Sequence, residues 1–310
     1  MNVDLSIIVP LYNEEENAGP LYRAIVGALD PLGMSYEVLF VEDGSRDGTF
    51  EKARQLAEND RRLRVIRFRK NYGQTQAMVA GIEHAKGKIL ITMDGDLQND
   101  PADIPKFIKK IHEGSDIVCG WRHRRQDKLI SRKIPSIVAN WMIGKITGVP
   151  IKDNGCSLKA YRAEIIKSIP LYSDMHRFIP AMTSMAGTNV SEIKVNHHPR
   201  RFGVSKYGIT RIYKVIIDLL VIKTLLSFST RPLRLFAAVG TASLIVGIFL
   251  MLESVTGLFG GPIEINFMVA SGALLFAILS FFFVLVGLLC ELVLKTGDFR
   301  DLSHVKAREE

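Results

Sequence analysis

Apolar residues follow two rhythms along the chain. Over the first two hundred residues, short β-branched runs alternate with stretches of helical period. The runs at 5–10, 37–41, 64–68, 88–93 and 116–120 read as strands. Asn13-Glu14-Glu15-Glu16 opens a helix after the first of them, with acidic residues in the first turn, where the helix dipole favours them. This alternation predicts an α/β domain, Rossmann-like, with a mostly parallel sheet covered by helices.

Beyond residue 230 the rhythm changes. Residues 235–252 and 265–290 carry no charge at all. At about 1.5 Å per residue the first run covers roughly 27 Å and the second more, enough to cross a hydrocarbon core of about 30 Å. Two buried core helices would need a large partner domain to cover them, and none follows. Between the two regions, residues 207–230 place Arg211, Lys214 and Asp218 at i, i+3 and i+7, with Ile209, Ile212, Ile216, Leu219, Leu220 and Leu226 filling the rest. That is the pattern of a helix lying in a membrane interface, or of a packed helix with a narrow polar stripe. The expected organisation is a globular domain over 1–206, surface helices over 207–232, two transmembrane helices over 233–294 with a short loop at 253–264, and a tail at 295–310.

Charge orients this arrangement. Arg231 and Arg234 precede the first span and Lys295, Arg300, Lys306 and Arg308 follow the second, while the 253–264 loop has neither Lys nor Arg. The positive-inside rule therefore predicts both termini and the globular domain on the cytoplasmic side of the inner membrane. The run at 5–9 is too short, and Asp4 too early, for a signal peptide. A formal charge of +8, in a chain with spans, points to anionic lipid or a phosphorylated substrate rather than nucleic acid. Cys119, Cys156 and Cys290 lack metal spacing and read as reduced thiols.

The chemistry gathers where strands end. Asp94-Gly95-Asp96-Leu97-Gln98 follows the fourth run. On a strand, i and i+2 point the same way, so the two carboxylates can share one target, and hard oxygen ligands suit Mg2+ or Mn2+ gripping a phosphate. A lone Asp-Gly-Asp is also a common surface turn. Asp43, at the end of the second run, suits a base or ribose as well as it suits a helix cap. In an open α/β sheet, ligands bind beyond the carboxyl ends of the strands. Asn13, Glu14, Asp43, Asn71, Asp94 and Asp96 all fall there. A P-loop and a G-x-G-x-x-G turn are both missing, so a P-loop NTPase or dinucleotide dehydrogenase is not supported.

Five motifs in order carry a family resemblance. They are Ser6-Ile7-Ile8-Val9-Pro10-x-Tyr12-Asn13-Glu14, Val41-Glu42-Asp43-Gly44-Ser45, Asn71-Tyr72-Gly73-Gln74, Asp94-Gly95-Asp96-Leu97-Gln98, and Asp153-Asn154-Gly155-Cys156 running on to Ala160-Tyr161-Arg162. With Arg200-x-x-Gly203-x-Ser205-Lys206-Tyr207 and His197-His198, the chain resembles the family 2, GT-A-fold glycosyltransferases. Within them it is similar to the polyprenyl-phosphate branch: formamido-arabinose transferases, bactoprenol glucosyltransferases and dolichyl-phosphate mannose synthases.

The resemblance implies a metal-dependent, inverting enzyme that moves a sugar from a nucleotide sugar to a polyprenyl phosphate. A UDP donor is favoured, with GDP-mannose as the alternative; a homo-oligomer is hinted at. It assigns Asp94, Asp96 and Gln98 to the metal, with Asp96 the most direct ligand. Pro10, Tyr12, Asn13, Glu14, Asp43, Asn71, Gln74, Asp94, Arg200 and Lys206 would bind the donor. Lys206, Arg211 and Lys214 would meet the acceptor phosphate. Where bactoprenol glucosyltransferases carry their proposed catalytic Asp, this chain has Ser157; Asp153 is then the candidate base or acceptor-positioning group, or a cap. A processive polysaccharide synthase is disfavoured because the chain lacks a Gln-x-x-Arg-Trp motif and further spans.

Overall fold

The computed structural model describes residues 3–123, 144, 151–169, 179–180, 187–199, 232–257 and 267–296. They belong to two compact units, one within 1–219 and the other within 220–301.

The first unit is built on a seven-stranded sheet. In chain order its elements are β1 (Leu5–Leu11), α1 (Glu15–Leu29), β2 (Tyr36–Glu42), α2 (Thr49–Asn59), β3 (Leu63–Arg67), α3 (Gln74–His84), β4 (Ile89–Thr92), α4 (Ile104–His112), β5 (Ile117–Trp121), β6 (Lys159–Arg162), α5 (Ala163–Lys167) and β7 (Val190–Lys194). The strand order is β3-β2-β1-β4-β6-β5-β7. Each strand expected from the hydrophobic pattern forms within a residue or two of its expected limits. β6 and β7 are additional. β6 runs antiparallel to both β4 and β5, whereas the other pairings are parallel.

β1 shows why a continuous apolar run was the right signal. Leu5, Ile7, Val9 and Leu11 face a core shared with Leu21 and Ile25 of α1 and Phe107 of α4. Ile8 faces the opposite core, with Met78 and Ile82 of α3 and Tyr161 of β6. A strand covered on both faces has no polar side to alternate with.

The N-terminal ends of the strands are tied by charge. Glu37 is buried and accepts from Ser6 Oγ at 2.8 Å, Arg64 Nη1 at 2.7 Å and Lys86 N at 2.6 Å. Arg162 lies at this end too, pairing with Asp116 at 3.3 Å and donating to the Ile111 carbonyl at 3.0 Å. The Ala-Tyr-Arg motif is thus a staple beneath the sheet: Tyr161 is fully buried and Arg162 holds α4 to β5.

The second unit is a helical pair, α6 (Pro232–Thr256) and α7 (Phe267–Thr296). Both are long and apolar enough to cross a membrane. α6 begins before the uncharged run and continues through Glu253, so the expected 253–264 loop is shorter at its start. Helix hydrogen bonding does not stop where the apolar run does. The helices meet through small residues. Ser243 Oγ donates to the Phe276 carbonyl at 2.9 Å, and a Cβ on Gly247 would lie 3.1 Å from the Ala273 carbonyl oxygen. Close backbone approach of this kind is how helices associate where no hydrophobic drive separates them from lipid.

Candidate active site

β1, β2, β3 and β4 are parallel, so their C-terminal ends share one edge. β6 reverses direction, and its first residue, Lys159, pairs with both Thr92 and Cys119. The 153–158 segment therefore enters at that same edge, facing the turn that follows β4.

Asp94 and Asp96 sit in that turn. β4 ends at Thr92, so strand alternation is not what brings the two carboxylates together. A tight bend does so instead, with Leu97 in the left-handed region at φ 60°, a conformation that costs a branched side chain energy. Asp96 is buried, and its Oδ1 accepts the Gln98 amide N–H at 3.1 Å. Asp94 Oδ1 accepts from Gln74 Nε2 at 2.6 Å. Burial, and after it the neighbouring Asp96 carboxylate, raise the Asp94 carboxyl above its ordinary range, against the opposing pull of Ser157, Arg122 and Lys159. Two carboxylates that press on each other in a partly dry site favour a nearby positive charge.

The donor-side candidates occupy the tips of β1 and β2. Asp43 accepts the backbone N–H groups of Tyr72 at 2.7 Å and Gly73 at 2.9 Å, tying the β2 tip to the loop that holds Asn71 and Gln74. Gly44 makes this possible. It has φ 65°, and a Cβ there would lie 2.3 Å from the Lys70 carbonyl carbon. Asn71 is exposed. Asn13, at φ 53°, donates from its backbone to Ser45 Oγ at 3.0 Å and accepts at Oδ1 from Arg46 N at 2.9 Å. Its side chain clips two loops together. Glu14 precedes α1, donates from its backbone to Thr49 Oγ1 at 2.8 Å, and accepts from Asn17 Nδ2. Pro10 lies at the end of β1, and Tyr12 is partly exposed just after it.

Asp153 is gripped from the side. Arg122 Nε reaches Asp153 Oδ2 at 2.7 Å and Arg122 Nη2 reaches Oδ1 at 2.9 Å, with Asp153 almost wholly buried. Burial works against the charged guanidinium, and the Asp153 carboxylate more than offsets it, so Arg122 stays ionised. The Glu192 carboxylate accepts the Lys152 and Asp153 amides at 2.9 and 3.1 Å, fixing the backbone beneath.

Four groups near the carboxylate pair carried no role in the sequence reading: Ser157, Asn99, Arg122 and Lys159. Asn99 Nδ2 donates to Ser157 Oγ at 2.7 Å, and Thr92 Oγ1 donates to the Ser157 carbonyl at 2.9 Å. Buried Lys159 donates to the Asn154 carbonyl at 3.1 Å. Ser157 alone left a trace in the sequence, through the resemblance to bactoprenol glucosyltransferases given above. Gln98 exchanges contacts with the 197–199 segment: His198 N donates to its carbonyl at 2.9 Å, and its Nε2 lies 3.4 Å from the His198 carbonyl. The His198 ring meets Asp100 at 3.2 Å, and His197 bridges to Asn99 through the backbone. Half-buried Trp121 stacks on His123 at 4.7 Å, with Lys152 Nζ 4.3 Å from its ring. Arg200, Lys206, Arg211 and Lys214 lie outside the described residues.

Among the described residues, no three His, Cys, Asp or Glu side chains cluster as a metal cage. A pair of carboxylates suits a cation that keeps water and takes further oxygens from a diphosphate, as Mg2+ and Mn2+ do.

Comparison with known proteins places the chain in a family and its fold among solved structures. Dodecaprenyl-phosphate galacturonate synthase of Rhizobium johnstonii is 40% identical over 97% of this chain and 91% of its own length. Undecaprenyl-phosphate 4-deoxy-4-formamido-L-arabinose transferase of Shewanella sediminis is 35% identical over 99% of this chain and 91% of its own. Among solved structures, glucosyl-3-phosphoglycerate synthase from Mycobacterium tuberculosis, in complex with Mn2+, UDP and phosphoglyceric acid, superposes with a TM-score of 0.57 at 16% identity. That match covers 71% of this chain and 78% of that one, and shows a shared GT-A-like fold. Mannosyl-3-phosphoglycerate synthase from Rubrobacter xylanophilus gives 0.57 at 13% identity, over 73% of this chain and 74% of its own. Residues 6–169 match glycosyl transferase family 2, and the chain is a glycosyltransferase of that family.

Proposed function

We propose that this chain transfers a sugar from a nucleotide sugar to a polyprenyl phosphate at the cytoplasmic face of a membrane. The observation that carries the reading is the Asp94–Asp96 pair at the tip of β4, beside the Asp43-anchored loop, in a chain that also has two membrane-length helices. The sugar acceptors printed in its relatives' names are polyprenyl phosphates, which are membrane lipids. A UDP-linked donor is favoured by the resemblance to formamido-arabinose transferases.

In this reading Asp94 and Asp96, with Gln98 beside them, hold Mg2+ or Mn2+, which neutralises charge on the departing nucleoside diphosphate. The loop that Asp43 anchors, with Asn71 and Gln74, receives the nucleoside. Arg200 and Lys206 clamp phosphate oxygens, and Arg211 and Lys214 draw in the lipid phosphate. A phosphate monoester has its second pKa near 6, so the acceptor is largely dianionic at pH 7 and needs no base. One of its oxygens bonds to the anomeric carbon as the bond to the nucleoside diphosphate breaks, inverting the centre with no proton moved. Asp153, engaged by Arg122, then serves to hold Arg122 near the reacting phosphates.

The test is purified protein in nanodiscs with undecaprenyl phosphate, Mn2+ and a panel of UDP- and GDP-sugars, scored for lipid-linked product with and without chelator. Product that needs the metal and disappears in Asp96→Ala supports the reading. Nucleotide binding with no transfer from any donor would make the chain a non-catalytic scaffold.

A further inference from the structure

The buried Asp43 carboxylate turns both oxygens to the loop after β3: Oδ1 accepts the Tyr72 N–H at 2.7 Å and Oδ2 the Gly73 N–H at 2.9 Å. What this anchorage presents is an aromatic ring. Tyr72 is 54% exposed; among the described residues of the first unit, Leu32, at 36%, is the only other exposed large hydrophobic side chain. The ring is braced all the same. Phe68 meets it edge to face, with centroids 5.5 Å apart and planes at 87°, and Lys70 Nζ lies 5.1 Å from its centroid. The Phe68 amide is itself held by the Glu42 carbonyl at 2.8 Å. A ring left half in water adds little to the core, so firm support beneath it points to a ligand above it.

The place of the ring relative to the carboxylate pair narrows the ligand. Gln74, two residues further on, donates from Nε2 to Asp94 Oδ1 at 2.6 Å. Two residues of chain span at most about 7 Å between Cα atoms. Tyr72 and the carboxylates therefore lie within the span of one nucleoside diphosphate. Of the parts of a sugar nucleotide, only the base has a planar π face. We propose that Tyr72 is the platform on which the nucleobase of the donor stacks. This inference rests on the nucleotide-sugar reading above and gives a role to a residue that reading leaves unassigned. Asp43, with both oxygens engaged by the loop, acts on the base through Tyr72. Every base has a π face, so a stacking platform adds affinity for nucleotides as a class and does not choose between uracil and guanine.

Calorimetry on the full-length protein in detergent, with Mg2+ present, measures affinity for UDP and for GDP. For whichever of the two the wild type binds, Tyr72→Ala should weaken binding roughly tenfold, the loss expected when one stacking partner is removed. Tyr72→Leu, which keeps apolar bulk without a π face, should weaken it similarly. Tyr72→Phe and Tyr72→Trp should retain it. Melting temperatures should stay near wild type, because the ring is half exposed. Wild-type affinity in Tyr72→Ala or Tyr72→Leu, or a loss in Tyr72→Phe as large as in Tyr72→Ala, overturns the platform and leaves the nucleotide reading standing. A wild-type protein that binds neither UDP nor GDP overturns the nucleotide reading itself. If Tyr72→Ala does not fold, Tyr72→Leu and Tyr72→Phe decide between these outcomes.

Discussion

Arg122 holds both carboxylate oxygens of Asp153, at 2.7 and 2.9 Å, with the side chains 15% and 4% exposed. A buried pair with this fork geometry is costly to break from one side, because the other charge stays behind. Asp153→Asn should lower stability by about 3–5 kcal/mol. Turnover per folded molecule should remain measurable, because the acceptor brings its own charge. Thermal melts and activity normalised to folded protein separate the two effects. Total loss of turnover in a fully folded variant would restore Asp153 as a reacting group.

A divalent cation held at Asp94, as proposed, would compete with its proton. The Asp94 carboxyl lies above the ordinary value of 3.8, through burial and then Asp96, so the folded chain binds that proton more tightly than the unfolded chain does. The stability it contributes is present at low pH and is lost as pH rises from that ordinary value through the raised one. A divalent cation should replace the proton. Mn2+ is therefore expected to raise Tm at pH 7.5, and by less as pH falls through the raised value. A Tm increment that is flat with pH would contradict this.

Gly44 is the backbone hinge beside the loop that Asp43 anchors. At φ 65°, with the Lys70 carbonyl carbon 2.3 Å from any Cβ, Gly44→Ala should cost at least about 2 kcal/mol. Hydrogen exchange at Tyr72 and Gly73, whose amides Asp43 accepts, should rise more than exchange in β4. Equal rises everywhere would point to general loosening instead.

Asp43→Asn isolates the loop from the backbone strain. One amide oxygen and one NH2 replace two acceptors, so either Tyr72 N or Gly73 N loses its partner, at about 1–3 kcal/mol. UDP affinity, measured by calorimetry, should fall with it. Unchanged affinity would remove this loop from the donor site.

In the helical pair, Gly247→Leu forces a side chain against the Ala273 carbonyl, which a Cβ would already approach to 3.1 Å. The variant should lose thermal stability in detergent, while Leu244→Ala, on an exposed face of the same helix, should not. Similar losses in both would show that packing at Gly247 is not what joins the helices.

Much of the architecture is local and therefore readable along the chain. β1, β2 and β4 are apolar because both faces of each are covered, and α1 begins where acidic residues meet its dipole. α6 and α7 are apolar over a length that would cross a bilayer, a property read directly off the chain. The Asp94-Gly95-Asp96 signal was legible because its two carboxylates are near neighbours in the chain. Ser157 and Asn99 are 58 residues apart, and Arg122 and Asp153 are 31 apart. No periodicity or spacing links such pairs. They meet because β6 enters the sheet antiparallel between β4 and β5, which carries the 153–158 segment to the β4 tip. The direction of one short strand, settled by packing across the whole sheet, decided which segment faces the turn that carries the carboxylates the sequence had already displayed.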